Sequence, residues 1–568
     1  MLTRALPIAA VAAIAFAGGL VVAAGGDTAA AERFVEAWVE GDYEAMHAEL
    51  TPEAQEEYAP ERLARAYERA AETATIAEVS PGEVEEGDGG AAIVMDLQTN
   101  AFGALRGTLE LPLADDRVAW EPHLVFPGLE PGEALSRLTR VPRRAPILAA
   151  DGSPLAEGPA AARSVPSGAA TNVVGAVGEP TRAQAAELAS HGFSPGTLTG
   201  NSGLELAYNA RLAGQPGGQL LATSAGEEAN LRGGRVLAAS QPRPGKAVRT
   251  TIDPELQEAA VAALGSLYGG VAVIDARNGS ILALAGIAYS APQPPGSTFK
   301  VITTTGALDE AIVELSDTFP VESSNSDIGR EIANSHDTPC GGTFTESFAN
   351  SCNTVFAPLG AELGGPELVE VAERYGFNAP PPIFDPAAAA AIDPPPSTIP
   401  TDISTSVEVG ESAIGQGQVL ATPLQLASVA QTIANGGERM PTPIARGPAL
   451  QPDAEPVRVT SQETASTIRQ LMIEVVESGT GVAAGLPGVT VAGKTGTAEL
   501  GPAALEEGQK LRRGEEPPQE LDAWFTAFAP AAKASLAIGV MVVNSEGDGG
   551  EVAAPIAAQV LGAGLGVG

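Results

Sequence analysis

Residues Pro294 to Lys300 read Pro-Pro-Gly-Ser-Thr-Phe-Lys and open an apolar helix. A spacing of i, i+3 sets the Ser297 hydroxyl and the Lys300 amine on one helix face. A serine hydroxyl is a poor nucleophile until a base takes its proton. A neutral lysine one turn away takes it when burial and a second cation depress its pKa. The positive end of the helix favours the alkoxide that develops. Standing alone, Ser-x-x-Lys is a frequent coincidence. Here no other lysine has a serine three residues before it, and lysine is scarce. It occurs only at 246, 300, 494, 510 and 533, which leaves 32 − 5 = 27 arginines. A GC-rich genome that writes Arg for Lys accounts for the bias; the surviving lysines then point to work that a guanidinium, which does not lose its proton, cannot do.

Two further clusters lie downstream. Lys494-Thr495-Gly496-Thr497 ends a strand-like run. A cation, two hydroxyls and a glycine on a strand edge suit an extended peptide that ends in a carboxylate and adds as a strand. Alone, the same four residues describe an ordinary hairpin turn. Ser351-Cys352-Asn353 precedes the apolar run Val355 to Leu359. Its serine can relay a proton and its asparagine can hold a substrate amide. Ser323-Ser324-Asn325 fits the same short pattern, but sits in a polar stretch that reads as a plain loop.

Composition narrows the classes. A chain of 568 residues holds two to four domains, and 44% hydrophobic content supplies real cores. Acidic residues outnumber basic ones 70 to 32, a net charge of −38, which argues against a nucleic-acid partner. Four scattered histidines and two cysteines give no metal-ligand spacing. No phosphate-binding glycine loop is present, so no metal and no cofactor is expected.

After Arg4, residues Ala5 to Ala24 form an apolar run of 20, just long enough to cross a bilayer. The flanking arginine predicts a cytoplasmic tip and a membrane anchor, with the rest of the chain outside the membrane. A cleaved signal peptide is the alternative. An amphipathic helix over Glu32–Leu50 and a second over Ala54–Ala74 precede short β runs from Ile76 to Val125, an α+β arrangement. Residues 155 to 247 are rich in Gly, Ala and Pro and read as a loosely built middle domain. From Arg249 the texture changes. A helix follows Asp253-Pro254, and a hairpin turns at Asn278-Gly279. A Pro/Ala-rich loop covers 379 to 400, a helix runs over Glu463–Ser478, and strands follow over Val489–Thr497, Ala523–Ala529 and Leu536–Val543.

The order Ser-x-x-Lys, Ser-x-Asn, Lys-Thr-Gly, with separations of 351 − 297 = 54 and 494 − 351 = 143, is the set shared by β-lactamases and penicillin-binding proteins. With Thr251–Gln257 (TIDPELQ), Ala413–Gly417 (AIGQG), Ala523–Pro530 (AWFTAFAP) and Ser202–Gly218, the chain resembles a class B, monofunctional penicillin-binding protein. Trp120, Pro122 and Pro127–Leu129 resemble the N-terminal extension of the methicillin-resistance type. The pattern departs from the family at Arg144-Ala145, where Arg-Gly is usual, and at Ala149–Gly152, where Asp-Arg-Asn-Gly is usual. The resemblance implies a multidomain α/β and α+β fold. Residues 1–25 would be the tip and anchor, and 26–135 a cystatin-cone-like α+β extension. Residues 136–247 would be a dimerisation or pedestal domain, and 248–568 the transpeptidase domain.

It also implies D,D-transpeptidase chemistry on peptidoglycan stem peptides, with β-lactams as covalent inhibitors. Ser297 would be the nucleophile and Lys300 its base. Ser351 would be the proton relay and Asn353 a peptide-positioning residue. Lys494, Thr495, Gly496 and Thr497 would bind the substrate. A membrane glycosyltransferase of the elongation or division machinery would be the partner. A β-lactam sensor or scaffold, a D,D-carboxypeptidase and a β-lactamase remain as alternatives. The β-lactamase is disfavoured because no class A Glu-x-x-x-Asn element lies between 354 and 493. Cys340 and Cys352, 12 residues apart in an oxidising compartment, can form a disulfide or remain two small core thiols.

Overall fold

The computed structural model describes residues 28–87, 89–224, 233–502 and 519–567. The predicted anchor therefore lies outside the described residues. Among those described, no helix is long and apolar enough to cross a membrane. The chain divides into two compact units, and it passes between them at 141–142, 186–187, 194–195, 215–216 and 242–243. The middle segment 136–247 thus contributes to both.

The first unit opens with four helices, Ala29–Glu40, Tyr43–Ala48, Pro52–Glu57 and Pro60–Ala74. The single helix expected over Glu32–Leu50 is broken at Gly41, whose φ of 72° ends one helix, and at Asp42, whose Oδ1 accepts from Ala45 N (2.9 Å) to start the next. The second expected helix breaks before Pro60, a residue that fits a helix only in its first turn. Strands Ile76–Gly87, Gly90–Thr99, Gly103–Ala114 and Arg117–Val118 form an antiparallel meander, longer than the short runs expected. Phe34, Trp38, Tyr67 and Trp120 fill its core. Trp120 Nε1 donates to Tyr67 Oη (3.1 Å), so burying the indole leaves no donor unpaired. A three-stranded sheet ordered Arg235–Ser240, Gly217–Ser224, Glu133–Arg140 adds Leu220 and Ala222 to the same core.

The second unit is built on a five-stranded antiparallel sheet ordered Ile281–Gly286, Gly269–Asp275, Leu536–Ser545, Gln519–Ala529, Ala492–Pro502. Its central strands bury apolar side chains on both faces. Trp524, Phe528 and Met541 enter one core with the Lys300–Asp309 and Pro423–Ala434 helices. Phe525, Ala527 and Val540 enter another with the Pro254–Leu264 and Ala554–Leu565 helices. Ala492–Pro502 is an edge strand. The expected loop over 379–400 contains a helix, Pro386–Ile392, because Asp385 caps it and a run of alanines propagates it. Away from this sheet, Glu205 is fully buried between Arg144 (Nε to Oε2, 2.7 Å) and Arg163 (Nε to Oε1, 2.6 Å).

Candidate active site

Three segments of the second unit converge. Ser297 lies in a 3₁₀ turn, Gly296–Phe299, that runs straight into the Lys300–Asp309 helix. Gly415 O accepts from Gly296 N (3.0 Å), so the 413–417 segment holds the turn from behind. Gly296 has φ 52°, and a Cβ there would come within 2.4 Å of Thr497 O; a Cβ on Gly496 would come within 2.6 Å of Pro295 O. The Ser297 turn and the edge strand approach this closely only because both positions are glycine.

Lys300 and Lys494 are completely buried. Lys300 Nζ donates to Ser351 O (2.7 Å), Asn353 Oδ1 (2.7 Å) and Ser351 Oγ (3.3 Å). Lys494 Nζ donates to Ser351 Oγ (2.8 Å) and Thr495 O (3.1 Å). Each amine faces an aromatic ring, Lys300 that of Phe356 (5.4 Å to the centroid) and Lys494 that of Phe348 (5.7 Å). Burial, with the neighbouring Lys494 charge, holds the Lys300 amine well below the usual lysine range. Burial alone brings Lys494 down to about 7. Burial thus disfavours the charged form of each amine, and charge repulsion adds to that at Lys300. Ser351 Oγ, with one proton and contacts to two amines, can accept from a charged Lys494 while donating to a neutral Lys300. Ser297 Oγ forms no hydrogen bond among the described residues; the lysine one turn away is engaged with the Ser351–Asn353 segment.

Ser351 adopts a left-handed backbone, φ 61°, which aims both its carbonyl and its hydroxyl at the lysines. Such a conformation costs a non-glycine residue about 1–3 kcal/mol and needs its surroundings to hold it. Ser351 N donates to Phe348 O (3.1 Å) and Cys352 N to Ser347 O (3.0 Å). Cys340 and Cys352 are joined by a disulfide with Cα atoms 5.4 Å apart. Asn325, of the second Ser-x-Asn match, does a structural job: its Nδ2 donates to Thr354 O (2.8 Å) and to Glu322 Oε1 (2.8 Å). Thr354 O lacks its helical partner because residue 358, four positions on, is a proline inside the Asn353–Leu363 helix.

On the edge strand, Thr495 Oγ1 meets Thr480 Oγ1 at 2.6 Å, and Thr497 Oγ1 accepts from Gly549 N (3.3 Å). Thr480, Phe348 and Phe356 belong to the site geometry but not to the residues singled out in the sequence, whereas Gly415 lies in the Ala413–Gly417 segment quoted there. For Thr480 the only available signal was the Gly-Thr-Gly of 479–481 at a helix end.

A family model described as "Penicillin binding protein transpeptidase domain" matches residues 269–562, slightly more than half of the chain. The chain belongs to the penicillin-binding protein transpeptidase family. Models described as "Penicillin-binding Protein dimerisation domain" and "NTF2-like N-terminal transpeptidase domain" match 158–250 and 27–133. The sequence is 32% identical over 388 residues to "Peptidoglycan D,D-transpeptidase PbpA" of Mycobacterium tuberculosis, covering 57% of this chain and 73% of the relative. It is 26% identical over 442 residues to "Peptidoglycan D,D-transpeptidase MrdA" of Acinetobacter baumannii, covering 68% and 64%. Among solved structures it resembles the penicillin G acyl-enzyme complex of M. tuberculosis penicillin-binding protein A, with a TM-score of 0.56 and 27% identity over 75% of this chain and 100% of that one. This serine-type penicillin-binding protein thus has the multidomain fold expected, with its N-terminal domain of the NTF2-like kind.

Proposed function

We propose that this chain cross-links peptidoglycan as a D,D-transpeptidase, with Ser297 as nucleophile. The observation that carries the assignment of roles is the convergence of two fully buried lysine amines on one serine hydroxyl, Ser351 Oγ, beside the Ser297 turn. Neutral Lys300 accepts the Ser297 proton as Ser297 Oγ bonds to the carbonyl carbon of the penultimate D-alanine. Ser351 passes a proton to the departing amine, and Lys494 resupplies the relay. Asn353 orients the donor peptide. Backbone N–H groups of Ser297 and Thr497 hold the oxyanion. The donor adds along the Ala492–Pro502 edge strand, with Lys494, Thr495 and Thr497 near its carboxylate and Gly496 leaving room for its backbone. An amine of a neighbouring stem peptide then displaces Ser297. A β-lactam acylates Ser297 in the same way and is trapped. Cross-linking needs newly polymerised strands, which supports a membrane glycosyltransferase as partner. The apolar run Ala5–Ala24 supports a single anchor with the site outside the membrane.

Labelling the purified protein with a fluorescent penicillin tests the reading. The expected outcome is one adduct on the Ser297 peptide, none in Ser297→Ala, and acylation slowed by about 10²–10⁴-fold in Lys300→Arg, which keeps the charge but not the base. Normal labelling of Lys300→Arg would remove Lys300 as the base. Absence of any adduct in the wild-type chain would leave a scaffold.

A further inference from the structure

The Asn353–Leu363 helix has an unusual start. Its N-cap residue is Cys352, whose sulfur is committed to the disulfide and caps nothing. The backbone N–H groups of the first turn need acceptors from somewhere. Asn334, 20 residues earlier in sequence and 6% exposed, supplies one: Thr354 N donates to Asn334 Oδ1 (3.0 Å), and the Thr354 hydroxyl lies 3.3 Å from the same oxygen. The other end of the Asn334 amide is anchored. Its Nδ2 donates to Glu322 O (2.8 Å) and Thr338 O (3.2 Å), and its backbone N donates to Ser323 O (2.9 Å).

The adjacent carbonyl, Ala333 O, accepts from Asn353 Nδ2 (2.9 Å). With its nitrogen held there, the Asn353 amide has its oxygen turned toward Lys300 Nζ at 2.7 Å. The loop that follows Asn334 is strained: His336 and Asp337 both have positive φ, 55° and 50°. Neighbouring non-glycine residues in that region are uncommon and persist where surrounding contacts fix them.

We propose that Asn334 is a positioning residue of the acylation step: it caps the Asn353–Leu363 helix from outside and so fixes the side of the Asn353 amide that faces Lys300. The inference rests on the roles given above to Lys300 and Asn353, and it adds a residue that touches neither substrate nor lysine. Without the cap the first helical turn loosens, Asn353 is free to turn its amide, and the left-handed Ser351 loses part of its support.

The test is a double-mutant cycle on the full chain, read as the limiting acylation rate and the half-saturating concentration of a fluorescent penicillin. Asn334→Ala should lower the limiting rate about 10- to 100-fold while the half-saturating concentration changes less than about threefold, because misplacement affects the reacting geometry. In an Asn353→Ala background the same substitution should change the rate by less than about threefold, since the two residues act as one unit. Asn334→Ser, with a thermal melt to confirm folding, replaces the alanine variant if the latter does not fold. A wild-type limiting rate in a folded Asn334 variant overturns the proposal. So does an equal loss in both backgrounds, which would mark Asn334 as a general stabiliser. Failure of the Lys300 assignment registers separately, as normal acylation by Lys300→Arg, and leaves the cycle readable.

Discussion

Lys300 and Lys494 are buried and form no salt bridge among the described residues, and this shapes the stability of the second unit. Lys494 holds its proton up to the ordinary lysine value of 10.5 in the unfolded chain but only to about 7 in the folded one. Between those values the unfolded state binds more protons than the folded state, so stability rises with pH across that window and the penalty is complete below it. Lys300 acts in the same direction. The melting temperature of Lys494→Met should therefore depend less steeply on pH between about 7 and 10 than that of the wild type, by the linkage that sets the slope. On the role proposed above for Lys300 as base, acylation slows as pH drops through its lowered pKa. A steeper melting profile in Lys494→Met would contradict the burial of that amine.

At the scale of elements, the site depends on how closely a 3₁₀ turn can approach a strand. A Cβ on Gly496 would lie 2.6 Å from Pro295 O and 2.8 Å from Thr298 Cγ2. Gly496→Ala should push the edge strand off the Ser297 turn, costing about 1–3 kcal/mol of stability by overpacking. Penicillin acylation, measured on protein still folded by circular dichroism, should fall by at least about 10-fold, since small displacements are expensive at a reacting centre. This contact explains why the three motifs were legible in the sequence while their mutual geometry was not. Ser297, Lys300, Ser351, Asn353 and Lys494 carry distinctive functional groups at telling intervals, so they stand out one by one. Thr480 and Asn334 act through a hydroxyl pair and a helix cap supplied to another segment, and nothing in their local sequence announces a partner 15 or 20 residues away. Secondary structure follows the same divide. The hairpin at Asn278-Gly279 and the Gln462–Glu477 helix are locally encoded. The helix breaks at Gly41 and Pro60 were equally visible as residues but were outweighed by the apolar period running through them.

For the molecule as a whole, a net charge of −38 repels itself in the folded state more than in the expanded one. Raising ionic strength from about 0.01 M to about 0.15 M shortens the screening length from about 30 Å to about 8 Å, and the melting temperature should rise with it. A fall would show that exposed attractive pairs such as Arg33 with Glu49 and Arg235 with Glu133 outweigh the surface repulsion. The chain path carries a different implication. Strand Gly217–Ser224 pairs with Glu133–Arg140 from Gly217 opposite Arg140 to Ser224 opposite Glu133, and its Leu220 and Ala222 complete the core that Phe34 and Trp120 begin. A ribosome makes these pieces in order, with 76 residues between the two strands, 66 of them part of the other unit. The N-terminal unit therefore cannot close its core as it is synthesised; it waits, its apolar face incomplete, until the segment beyond residue 222 has followed it out.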